Sequence, residues 1–142
     1  MTGTAVDLER NKSVVHGFVD AWNDRDVDRF DRLMGRDAVL HLGAAEYPCD
    51  PDSTRAIVEE WTTAFPDWRF ELLQLVAEGD RVVAHMPYSG TFSAALYGVP
   101  PTGRFALVDE MVIFRIEDEH IAEAWEIYDL DGMWKQLGVP AR

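Results

Sequence analysis

A single cysteine, Cys49, leaves the 142-residue chain no partner for an internal disulfide. Nor do that cysteine and the four histidines fall at the spacings that hold zinc, so the sequence offers no structural metal site. Lysine is scarce, two residues among 13 basic ones, against 26 acidic side chains. The resulting formal charge of −13 repels phosphate backbones and anionic lipid, which makes nucleic acid and membranes poor partners; solubility is the plain use of such a surface. No apolar run approaches the roughly 18 residues needed to cross a bilayer, and MTGTAVDLERN has neither a basic start nor an apolar signal core. Cytoplasmic residence is the expectation that follows. Internal repeats, low-complexity tracts and long linkers are missing too. What is present is 47% hydrophobic residues, enough for one core, and a single domain over residues 1–142 is expected.

The chain divides into a helical front and a strand-rich back. From Asp7 to Asp24 the apolar positions Val15, Phe18, Val19 and Trp22 recur at steps of three and four, the stripe of an amphipathic helix. NDRD breaks it, and a second short helix follows with Val27, Phe30, Leu33 and Met34 on its apolar side. AVLHL, Ala38 to Leu42, reads as a short strand. Pro48, Pro51 and DPDS mark a loop whose polar residues can cap a third helix, where Ile57, Trp61, Ala64 and Phe65 share a face.

After FPDW the texture becomes extended. RFELLQLVAEGDRVVAHMPYSGTF reads as two strands joined at EGD, GVPPTGR as a loop, and FALVDEMVIFRI as a third long strand. The turn EDEH leads to the strand HIAEAWEIY and then to a helix-like tail, DLDGMWKQLG. Helices followed by an antiparallel meander indicate α+β, with helices covering one face of a curved sheet.

Within that plan the acids of the last strands draw attention. Period-two alternation gives Ala122, Ala124, Glu126 and Tyr128 one face, and sends Glu123 and Trp125 to the other. A carboxylate on a buried face has to be hydrogen-bonded, neutralised or used, because burial disfavours its charged form. Glu126 is therefore either a surface glutamate or a cavity acid. Glu110 faces the same choice, since a one-residue register shift exchanges it with Asp109. Two such carboxyls close together can divide into a base and a protonated acid, the pair needed to take a proton alpha to a carbonyl and return one.

Other polar residues are weaker candidates. His41 sits mid-strand in VLHL, as a cavity base or a core histidine. His85 and Tyr88 cannot both point inward on a regular strand unless Pro87 marks a bulge, and Tyr88 is favoured as lining. Asp129 fits a cap on DLDGMW better than chemistry. Trp22, Trp61, Trp125 and Phe92 suit packing, or walls for a large ring. With no phosphate loop, dinucleotide fingerprint or metal-ligand cluster, no cofactor is expected.

The ordered set AFPDWRFELLQLVAEGDRVVAH, GVPPTGR, FRIEDEHIAEAWEIYD and the closing QLG resembles the SnoaL-like polyketide cyclase family of the nuclear-transport-factor-2-like superfamily, over nearly the whole chain. The resemblance implies a cone-shaped α+β barrel, a bent, mostly antiparallel sheet around three N-terminal helices, paired as a homodimer through its outer sheet face. It implies a cofactor-free intramolecular aldol closure driven by one carboxylate on the last strand. Glu126 stands where that family has aspartate, Glu110 where it has glutamine and Val112 where it has histidine; Phe92, in SGTF, replaces a histidine common in relatives. The expected catalytic residues are Glu126 and Glu110. His41, Trp22, Tyr88, Phe92, Val112, Tyr128 and Asp129 are expected around a small hydrophobic ligand. A cavity with Glu126 and little else polar favours a cyclase or isomerase. A polar trio including His41 favours a hydrolase or hydroxylase, and outward-facing acids favour a non-catalytic binder.

Overall fold

A computed structural model describes residues 5–140. The chain runs α1 (Ala5–Asp24), α2 (Val27–Leu33), β1 (Met34–Leu42), β2 (Ala45–Pro48), α3 (Pro51–Ala64), β3 (Arg69–Phe70), β4 (Gln74–Glu78), β5 (Arg81–His85), β6 (Tyr88–Thr91), β7 (Phe105–Val108), β8 (Glu110–Glu117), β9 (His120–Tyr128) and α4 (Leu130–Gln136). Six strands form one sheet in the order β2-β1-β9-β8-β5-β4, and three form another, β3-β6-β7. Strand β1 lies parallel to β9, while every other pairing is antiparallel. The result is the expected α+β cone, although its curved sheet does not close into a barrel and a fourth helix follows the strands. Among the described residues no helix is long and apolar enough to cross a membrane.

The helical stripe behaves as its spacing predicts: Val15, Val19 and Trp22 are buried. Helix α1 ends where Arg25 takes φ +54°, and the Asp26 side chain accepts the Arg29 N–H at 3.1 Å to start α2. Asn23 then pins the helix end to β3, giving a hydrogen bond to the Phe70 carbonyl at 3.0 Å and accepting the Phe70 N–H at 2.8 Å. That clamp fixes the FPDW turn, and with it Trp68, against the core. Met34, expected at the end of α2, opens β1 instead. At α3 the Asp50 carboxylate takes the Ser53 hydroxyl at 2.6 Å rather than a backbone N–H, so the expected cap is not made.

Four strand expectations change in ways that shape the cavity. Ala45–Pro48, of which the sequence reading assigns only Pro48, as loop, form an edge strand on β1. FALVDEMVIFRI is two strands split at Asp109, the first paired with β6 and the second with β5. Burial still alternates through the split, with Ala106, Val108, Glu110 and Val112 all inside, so the segment bends without losing its phase. The neighbouring segment breaks at the same level, at Met86 and Pro87, because proline has no N–H for a ladder. The Met86 N–H donates to the Glu110 carbonyl at 2.9 Å across this corner. Glu110 thus stands where the sheet folds over. Finally, Arg115 pairs with Glu123 but Ile116 with Ile121, which makes Ala122 the extra residue of a bulge. The inward face of β9 is therefore Ile121, Ala124, Glu126 and Tyr128 rather than one running through Ala122.

Buried apolar side chains form one cluster between the helices and the concave sheet face. Gly90 lies at its tightest point: a Cβ there would meet the Phe65 Cβ at 2.9 Å and the ring at 3.1 Å. Because Phe65 is fully packed and cannot swing away, Gly90→Ala is expected to cost about 1–3 kcal/mol of stability, measured by urea denaturation.

Candidate active site

Bending the sheet over the helices leaves a cavity of about 420 Å³. Its helical wall holds Phe18, Trp22, Ile57 and Trp61; Trp68 and Phe70 come from the FPDWRF turn, and Val112, Phe114 and Ala124 from the sheet. These walls are apolar, so each polar group among them matters.

Two carboxyls lie on the sheet side. Val112 pairs with Glu126 and Glu110 with Tyr128, which makes Glu110 and Glu126 diagonal neighbours on the same face of adjacent strands. Glu110 is 3% exposed, and its Oε2 has no hydrogen-bond partner among the described residues. Burial holds its pKa well above the ordinary carboxyl value, and the charge and hydrogen-bonding contact of Glu126 raise it further. Glu126 is half-buried and lines the cavity beside it.

Phenols and a thiol complete the polar set. Tyr88 donates its hydroxyl proton to Met133 Sδ at 3.2 Å, stacks on Trp68 at 4.5 Å, and is pushed up in pKa by burial. Tyr128 is raised by burial and then by Glu126. Cys49 is a buried thiol whose pKa is raised chiefly by desolvation, against a hydrogen bond shared with the Thr54 hydroxyl. Tyr47 and Tyr97 line the cavity yet are 46% and 56% exposed, which sets them at its opening. With their pKa values raised, Tyr88, Tyr97 and Tyr128 are hydrogen-bond donors rather than bases at neutral pH.

The expected residues sort cleanly by face. Glu126, Glu110, Trp22, Tyr88, Val112 and Tyr128 lie on the cavity. His41 does not: Leu40 and Leu42 occupy the inner face of β1, and His41 turns outward. There its Nε2 meets Glu123 Oε2 at 2.6 Å, and its ring stacks on Trp125 at 5.2 Å. Glu123 also accepts from Arg115 Nε at 3.1 Å, and the hydrogen bonds from His41 and Arg115 hold its carboxyl below the usual range. Phe92 is fully buried but is not on the cavity; it stacks on Phe65 at 5.5 Å. It is core rather than lining. Asp109 is exposed and paired with His85 on the outer side, which decides the register in favour of Glu110.

Asp129 is likewise exposed and caps α4, its Oδ1 accepting the Gly132 N–H at 2.9 Å. It is not part of the cavity lining. Asp129→Ala should cost about 0.5–2 kcal/mol of stability while leaving ligand affinity unchanged, tested by thermal denaturation beside a binding titration.

Cys49, Thr54, Tyr47, Tyr97, Trp68 and Phe70 were not singled out as lining from the sequence. Tyr97-Gly98 carried a usable signal, since a residue before glycine in a short loop marks a turn tip. Tyr47 carried none, because β2 looks like loop. Among the described residues, no group of three or more His, Cys, Asp or Glu side chains is placed to hold a metal ion.

Comparison with known proteins follows the same lines. Residues 12–137 match the model of a family described as SnoaL-like polyketide cyclase. No curated protein matches the chain. Among solved structures, IdmH of Streptomyces antibioticus, a candidate polyketide cyclase, is 31% identical with a TM-score of 0.78, over 91% of this chain and 99% of that one. TsrD of Streptomyces laurentii is 30% identical with a TM-score of 0.83, over 94% and 98%. AclR of Streptomyces galilaeus, a candidate hydroxylase, is 25% identical with a TM-score of 0.82, over 94% and 99%.

Proposed function

The chain belongs to the SnoaL-like polyketide cyclase family, and from that premise we propose a cofactor-independent cyclase or isomerase acting on a hydrophobic, multicarbonyl molecule in the cytoplasm. The observation that carries the reading is the pair Glu110 and Glu126 on one apolar cavity, one of them deeply buried with its pKa pushed up by that burial. In this scheme the Glu126 carboxylate takes a proton from the carbon alpha to a ketone. The enolate carbon attacks a second carbonyl of the same molecule, a carbon–carbon bond forms, and the new alkoxide takes the proton back from Glu126. Nothing is oxidised or reduced, so the scheme needs no co-reactant. The Glu110 proton supplies a hydrogen bond to the changing charge next to it. Because His41 faces outward, the acid and histidine trio that favours a hydrolase or hydroxylase is not assembled.

Incubation of the protein with a poly-β-ketone ester tests the reading. The expected product has the composition of the substrate, or that less one water, holds a new carbon–carbon bond, and forms at the same rate after dialysis against chelator. A product heavier by one oxygen points to hydroxylation, and a ligand recovered unchanged to binding alone.

The same reading includes a homodimer. Val76, Met111, Ile113 and Ile127 are 62%, 50%, 40% and 75% exposed on the outer sheet face, an apolar patch of the kind that marks an interface. Light scattering should return twice the 16.1 kDa chain mass, and Ile127→Asp should return the single-chain mass.

A further inference from the structure

The segment Leu96–Val99 combines features that its role as a loop leaves unexplained. Leu96 and Val99 exchange two backbone hydrogen bonds, at 3.1 and 2.9 Å, around a two-residue tip in which Tyr97 and Gly98 have φ +50° and +76°. Such a turn favours asparagine at its first central position, and an aromatic residue in the left-handed region is uncommon. Both anchors are buried, Leu96 at 0% and Val99 at 4% exposure, so the tip is held rather than loose. A strained residue kept by a rigid surround is a reason to ask what its side chain does.

That side chain lies over the cavity opening with its oxygen already engaged. The Trp61 indole N–H donates to the Tyr97 hydroxyl oxygen at 3.0 Å, and the two rings meet edge to face at 5.9 Å. Indole nitrogen donates only, so the phenol oxygen is the acceptor and its own proton is free to point elsewhere. Among the described residues no acceptor takes that proton. Receiving one hydrogen bond makes the hydroxyl a better donor of the next. Burial, with the charges of Glu60 and Glu126, raises the phenol's pKa against the Trp61 hydrogen bond, and keeps it a donor at neutral pH.

We propose that Tyr97 is the oxygen-recognising residue of this site: its hydroxyl, set by Trp61, donates to a ketone or enolate oxygen of the ligand whose carbon faces Glu126. The proposal rests on the reading of the cavity as a carbonyl-compound site, and it adds a specificity residue at the cavity opening beside Trp61. Trp61 acts through Tyr97 as a positioning residue.

Fluorenone and fluorene share one rigid tricyclic skeleton and differ in a single carbonyl oxygen, so their affinities isolate the hydrogen bond. Binding is read from quenching of the cavity tryptophans. The parent protein should bind fluorenone more tightly than fluorene. Tyr97→Phe keeps the ring and should weaken fluorenone roughly three- to tenfold, the worth of one net hydrogen bond, while fluorene affinity stays put and reports an intact cavity. A variant that keeps the full ketone preference overturns the role of Tyr97 and leaves the carbonyl reading standing. Equal loss of both probes reduces Tyr97 to packing, and a parent with no ketone preference overturns the carbonyl reading together with the inference.

Discussion

Glu126→Gln is expected to keep the fold and lose turnover by roughly 10²- to 10⁴-fold, the cost of removing a general acid/base. That loss corresponds to about 3–5 kcal/mol of transition-state stabilisation. The fold should survive because the Glu126 side chain is half-buried on the cavity surface and its contact across the strands, with Glu110, is one that glutamine can also make. Glutamine keeps its length and polarity and removes only the ability to accept and return a proton. Glu123→Gln is the control: that carboxylate faces the other side of β9, bonded to His41 and Arg115, and its loss should leave kcat within about twofold. Parent-like turnover by Glu126→Gln, with circular dichroism unchanged, would remove the carboxylate from the chemistry.

The second large effect is on stability against pH, and Glu110 causes it. Its pKa is raised in the folded protein, while in the unfolded chain it is an ordinary carboxyl near 4.5. Below that pH both states hold the proton and Glu110 adds no pH dependence. As pH rises above it, the unfolded chain releases a proton that the native state keeps, so unfolding becomes easier by up to about 1.4 kcal/mol per pH unit until the native group also ionises. Glu110→Gln has no proton to lose. Its stability relative to the parent should therefore climb from pH 4 to pH 7, measured as the difference in urea midpoints at several pH values. Asp50, Asp67 and Glu123, whose carboxyls are lowered, act with the opposite sign, but they are present in both proteins and cancel in the difference. Because the Glu126 charge helps raise Glu110, the climb should be shallower in a Glu126→Gln background. A midpoint difference that stays flat with pH would mean that Glu110 is an ordinary solvated acid. Keeping a destabilising carboxyl inside an apolar cavity is the trade expected where stability yields to chemistry.

Some of the site could be read before any coordinates. Helix α1 declared its buried stripe through Val15, Val19 and Trp22, and alternation put Glu126 with Tyr128 and apart from Glu123 and Trp125. His41 shows how such readings fail. A period of two states that neighbours face opposite ways without saying which face is inside, yet here Leu40 and Leu42 on either side already claimed the buried one. Ala122 failed differently: its bulge arises from the register of β9 against β8, which no window within β9 contains. Phe92 is expected on the cavity from the resemblance, but a residue type alone does not tell a cavity wall from the core behind it.

By itself the sequence determined what short-range sterics and charge control: helices ahead of an antiparallel meander, the buried stripe of α1, the two-residue alternation along β9, and a net charge of −13. Tertiary structure alone decided the chemistry. The bend at Asp109 and Pro87 sets Glu110 diagonally across from Glu126, the parallel seating of β1 on β9 joins residues some 85 positions apart, and a strained turn hangs Tyr97 over the opening. Each depends on long-range register. The proton on Glu110 depends on one thing more, the apolar volume around it, because a carboxyl's acidity follows its surroundings and no local run of residues specifies those.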